Sequence, residues 1–140
     1  MIEMSELPKI GIISCSGEDC PGGNISREAT LRVLHKLRPD ETATICLPLF
    51  LAGGEGERGF ARRFPTVTVD GCGKHCAAIG TARFSNKPAV EINLEDYPDF
   101  ASLKDEERWH IQESSSDLVE KLSNDIASYV DKLRNTWSEP

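Results

Sequence analysis

The run Ile10-Gly11-Ile12-Ile13 is short, β-branched and apolar, with no polar residue in it. It lacks the in-out alternation of a strand with one wet face, so it suits a strand covered on both faces. Such a strand needs helices on either side. The rest of the chain supplies them, as strands separated by helices or long connections. This order predicts an α/β domain with a mostly parallel sheet of about four strands flanked by helices. Right-handed crossovers then return the strand ends to one common edge.

Asn24 is placed to cap a helix running to about Arg38, where Pro39 ends it; Ile25, Ala29, Val33, Leu34 and Leu37 fall at helical spacing. A second strand is read over Thr42 to Leu47, a loop over Ala52 to Glu57, and a short helix from about Arg58 to Phe64. Thr66 to Val69 reads as the third strand. Lys74 to about Phe84 reads as a helix with Cys76, Ile79 and Ala82 inward, and Ala89 to Leu94 as the fourth strand. Beyond Tyr97 the chain turns charged and helical. Leu118, Leu122, Ile126, Tyr129 and Leu133 recur at three- and four-residue steps, the stripe of an amphipathic helix. That stripe is expected to pack on the sheet; the alternative is a homo-oligomer or protein partner held through the same face. No internal repeat interrupts this order, and 140 residues suit a single domain, 1–140, with 97–140 as a C-terminal helical extension.

Cysteines follow the strands. Cys15 comes directly after the first, Cys46 lies at the end of the second, and Cys72 follows the third. Parallel strands would bring all three thiols to the carboxyl edge, where open α/β sheets bind ligands. Cys20 lies in the Gly- and Ser-rich loop beyond Cys15, and Cys76 is one helical turn past Cys72. Thiolates suit zinc, with an iron–sulfur cluster or copper(I) as lesser alternatives. The structural alternative is a set of small buried hydrophobes, strongest for Cys46 in its strand. The spacings C-x4-C and C-x3-C are looser than the C-x2-C of most zinc knuckles. Helix amino ends near Cys15, Cys20 and Cys72 are expected to lower thiol pKa values. His75, His35 and His110 read as surface residues, Glu18 and Asp19 as solvated, and Asp70 as a partner for local backbone amides.

The charge balance narrows the partners. Sixteen Lys and Arg stand against 23 Asp and Glu, a net −7, with only short basic clusters such as Arg62-Arg63. Such a surface predicts no nucleic-acid partner and no membrane adsorption. No run of 18 apolar residues is present, and the polar, acidic start does not read as a signal peptide. A cytoplasmic, reducing location is therefore expected, in which five cysteines serve as metal ligands or reactive thiols rather than disulfides.

At Asp70-Gly71-Cys72, with Cys76 four residues later, the sequence resembles the DGC-domain family; Cys15-Ser16-Gly17 and Cys46-Leu47 support the match. The resemblance covers about residues 9 to 95. It implies zinc held by four cysteines, with Cys15, Cys46, Cys72 and Cys76 as counterparts and no established biochemical role. Where other members place a cysteine three residues after the first, this chain has Glu18, and Cys20 stands in for it. The expected function is metal sensing, storage or transfer. The alternative is thiol redox or sulfur transfer by the same cysteines. A phosphatase reading fails on spacing: the position six after Cys15 is Pro21 and six after Cys20 is Ser26, while Arg27 is off by one.

Overall fold

The computed structural model describes residues 7–17, 20–103 and 116–137. Four strands form one sheet: β1 (Ile10–Ser14), β2 (Thr42–Thr44), β3 (Thr66–Asp70) and β4 (Val90–Asn93), in the order β2-β1-β3-β4. Every pairing is parallel, with Ile12 opposite Thr44 and Val67, and Val69 opposite Ile92. The central strands β1 and β3 are buried on both faces: Ile10, Ile12, Ile13, Val67, Thr68 and Val69 are all at most 1% exposed.

The two faces bury different layers. On one, Ile10, Ile12, Val67, Val69 and Ile92 pack with Ile25 and Ala29 of α1 (Pro21–Arg32), with Val33 just beyond it, and with Leu118, Leu122, Ile126 and Val130 of α7 (Ser116–Asn135). On the other, Ile13 packs with Phe60 and Ala77, which belong to α4 (Phe60–Arg63) and α5 (Cys76–Phe84). The chain leaves β1 for one face and β3 for the other, so the strand order reverses between these parallel neighbours, β2 being added on one side and β4 on the other. That reversal opens a crevice at the carboxyl edge. The short helices α2 (Leu47–Leu51) and α3 (Glu55–Arg58) connect β2 to α4, and α6 (Pro98–Ala101) follows β4.

The C-terminal stripe packs on the sheet, as expected. Leu122, Ile126 and Val130 are fully buried in the main core, while Tyr129 is exposed. Several local expectations need correction. Helix α1 begins at Pro21 with Cys20 as its cap residue, not at Asn24, and it ends in a π-helical turn over Val33–Leu37. Strand β2 stops at Thr44, and the chain turns through Cys46, the cap residue, into α2, whose first turn holds Pro48. Helix α5 begins at Cys76 rather than Lys74 and shows the sheet its small residues: Ala77, Ala78, Gly80 and Thr81 are buried, whereas Cys76, Ile79 and Ala82 are exposed. Expected His110 and the carboxylates Glu18 and Asp19 lie outside the described residues. No helix among the described residues is long and apolar enough to cross a membrane.

Candidate functional site

Two glycines hold the crevice shut at its base. A β-carbon on Gly22, in the first turn of α1, would lie 2.0 Å from the Gly71 carbonyl oxygen; one on Gly71 would lie 2.2 Å from the Gly22 carbonyl carbon. Backbone thus touches backbone between the loop after β1 and the loop after β3. The cysteines of both loops gather around this contact. The Gly71 amide donates to Cys15 Sγ at 3.3 Å, and Cys20 Sγ donates to the Gly71 carbonyl at 3.9 Å. Ser26 Oγ donates to the Gly23 carbonyl at 2.8 Å, leaving its lone pairs for Cys15 Sγ at 3.7 Å.

The neighbouring residues of the tripeptide are also anchored. Asp70 accepts from the amides of Ala77 (2.7 Å) and Ala78 (3.1 Å), satisfying two orphan donors at the start of α5. It does what the sequence led us to expect, bonding backbone, at longer range than a local turn. The Cys72 carbonyl accepts from Asn93 Nδ2 at 2.8 Å, and the same amide nitrogen stands 3.3 Å from His75 Nδ1. Asn93 Oδ1 accepts from the Glu95 amide at 2.8 Å. His75 itself is exposed and left-handed, with φ of 57°, at the head of α5. Asn93 was not singled out from sequence. Its only signal is a polar residue at the carboxyl end of a predicted strand.

Electrostatics ties four thiols together. Burial pushes the Cys20 thiol up, and the nearby Cys72 and Cys15 add to the rise against the opposing amides of Gly23 and Gly22. Cys76 is likewise pushed up, first by desolvation and then by Asp70, Cys72 and Cys15, with Lys74 weakly opposing. At Cys20 this direction corrects the expectation of a lowered thiol pKa. The helix amino ends do not outweigh desolvation and the mutual repulsion of neighbouring thiolates. Cys46 stands apart. It is exposed at the head of α2 and is not among the main charges acting on Cys20 or Cys76.

The DGC domain matches residues 11–127, most of the chain. The chain belongs to the DGC domain family. No curated protein and no solved structure matches it. The DGC match runs past residue 95, the limit of the motifs that carry the sequence resemblance, and takes in most of α7. This extent agrees with the core, because α7 covers the same sheet face as α1. The DGC tripeptide is therefore a joint: Asp70 fixes the next helix, Gly71 meets Gly22, and Cys72 is tied to β4.

In type, the four thiols fit a soft cation. In arrangement they are not a closed cage: among the described residues, no three Cys, His, Asp or Glu side chains stand close enough to hold one ion.

The joint makes a testable demand on Asp70. Asn in its place keeps one acceptor but turns a donor toward an amide, so Asp70→Asn is expected to cost about 1–2 kcal/mol near neutral pH. Burial outweighs the two amide bonds and holds the Asp70 carboxyl above the usual range. Stability from this group is then full below its unfolded pKa and is lost as pH rises through the folded one. The deficit of Asp70→Asn should shrink across that interval in urea melts. A deficit that grows with pH would show that the amide bonds outweigh burial.

Proposed function

We propose that this DGC domain binds a soft metal ion, zinc, through Cys15, Cys20, Cys72 and Cys76, and serves in sensing, storing or passing on that ion. The observation carrying this reading is that Cys15 and Cys20 meet at the Gly22–Gly71 contact while Cys15 and Cys72 oppose the ionisation of both Cys20 and Cys76. A divalent cation reverses that opposition, because it turns mutually repelling thiolates into shared ligands. Cys15 and Cys20 spend their S–H groups on weak bonds to Ser26 and Gly71, which side-chain rotation releases without rebuilding the loops. Asp70, Asn93 and the two glycines would hold the backbone still while the thiols turn.

At Cys20 and Cys76 the electrostatics favour a metal ligand over a nucleophile of redox exchange or sulfur transfer. Those chemistries need an easily formed thiolate, whereas Cys20 and Cys76 are held above the ordinary thiol range.

Elemental analysis of protein purified from metal-replete growth, paired with X-ray absorption at the metal edge, tests the proposal. The expected result is one equivalent of zinc in a shell of four sulfurs at about 2.3 Å. Less than about a tenth of an equivalent, with no uptake on titration, would sink it.

A further inference from the structure

A second cavity opens on the β2 side of the crevice. It is a cleft of about 670 Å³ between α1 and α2, within the size range of small-molecule pockets. Leu31 of α1 and Leu34 of the π-helical turn after it face Leu47 and Leu51 of α2 across it, and Leu31 and Leu51 are left 38% and 55% exposed. Large apolar side chains on both banks of one concavity are costly in water and favour an apolar occupant.

Ser14, Ser16 and Thr44 also line the cleft, but their hydroxyls are engaged, Ser14 with Ser16 and Thr44 with the Ile12 carbonyl; the two polar side chains on α1 are the ones left for an occupant. Thr30 lines the cleft wall, is 3% exposed, and has a buried hydroxyl with no hydrogen-bond partner among the described residues. Buried hydroxyls are normally satisfied, so this one points to a missing partner. Arg27 lies one turn earlier on the same helix and also lines the cleft while exposed to solvent. A cation at the rim, an unsatisfied hydroxyl in the wall and leucines on both banks together describe one kind of molecule.

We propose that this cleft binds a small amphiphilic organic anion. Its apolar body lies between the leucines of α1 and α2, its anionic group meets Arg27, and an oxygen accepts from Thr30. The concave shape and the buried hydroxyl favour a small molecule over a protein face, which would cover leucines but leave Thr30 unpaired. Cys15 and Cys46 line the same cleft, so an occupant would shield both thiols.

The test uses the full chain treated with chelator, so that its outcome is separate from that of the zinc titration. 8-Anilinonaphthalene-1-sulfonate is titrated by fluorescence beside its uncharged analogue N-phenyl-1-naphthylamine. One saturable site is expected for the anion, with slower alkylation of Cys46 when it is filled. Arg27→Gln should weaken the anion about tenfold and leave the neutral analogue within about twofold. Leu31→Asp and, from the opposite bank, Leu51→Asp should each weaken both probes about tenfold or more. These two leucines are exposed enough for the variants to fold, which circular dichroism checks. Equal loss of both probes in Arg27→Gln, unchanged binding in the aspartate variants, or several weak sites would overturn the proposal. So would concentration-dependent dimerisation abolished by Leu31→Asp, which would assign the cleft to a second copy of the chain.

Discussion

Gly71→Ala is expected to destabilise the protein by about 3 kcal/mol, the upper end of what overpacking a tight interior costs. The new methyl group would need to sit 2.2 Å from the Gly22 carbonyl carbon and 2.4 Å from the Gly23 amide nitrogen. A flexible side chain facing a new methyl can swing aside. Here both obstacles are backbone, fixed by the first turn of α1 on one side and by the end of β3 on the other. Relief requires the two loops to part, and parting them breaks the Gly71 bonds to Cys15 and Cys20. Gly22→Ala should behave alike, since its methyl would meet the Gly71 carbonyl at 2.0 Å. For a domain of this length the midpoint of thermal unfolding should fall by about 10 °C. Neighbouring glycines supply the controls. A methyl at Gly73 meets nothing within 4 Å, so Gly73→Ala should stay within about 0.5 kcal/mol of the parent. Gly80 lies inside α5 with open space around it, and alanine there should add about 0.5–1 kcal/mol. Melts of Gly71→Ala and Gly73→Ala that coincide would show that the loop contact carries no weight.

That contact marks the limit of what a single sequence reveals. The parallel sheet is legible because Ile10 to Ile13 carries a local signal of double-sided burial and Thr66 to Val69 is β-branched throughout, and the carboxyl-edge position of the thiols follows from topology alone. The close approach of Gly22 and Gly71 is tertiary, and nothing near either residue announces it. Strand β2 was read too long because Thr42 to Leu47 has strand-forming composition, yet Pro48 takes the chain into α2. The inward face of α5 was misread for a different reason. A helix of nine residues offers little periodicity, and here close packing on the sheet selects small side chains, leaving the larger Ile79 outside. Thiol acidity was misjudged because a helix amino end is visible in sequence, while desolvation and neighbouring thiolates exist only once the fold is formed.

Cys72→Ser and Cys46→Ser should separate sharply in zinc affinity. Replacing a thiolate by a hydroxyl removes one of four soft ligands and one negative charge, and an incomplete set should lose about 100-fold or more in affinity. Cys72 acts on both Cys20 and Cys76 and is anchored through Asn93, so its loss should strike the centre of the site. Cys46 sits on the cleft, outside that coupling, and its serine variant should bind within about threefold of the parent. The counterpart set implied by the family resemblance gives the opposite ranking for Cys20 and Cys46, so Cys20→Ser discriminates between the two sets. Proton linkage adds a second readout. Cys20 and Cys76 are held above the ordinary thiol value of 9.0, so at neutral pH each carries a proton that metal must displace. Affinity should therefore rise with pH, by about one decade per pH unit for each thiol ionised on binding. Metal-free protein should move the other way. A raised folded pKa gives stability that is complete below the unfolded value and lost as pH rises through the folded one, so alkaline melts should weaken and added zinc should restore them. Parent-like affinity in Cys72→Ser, or zinc binding independent of pH between 6 and 8, would mean that these thiols are not the ligands.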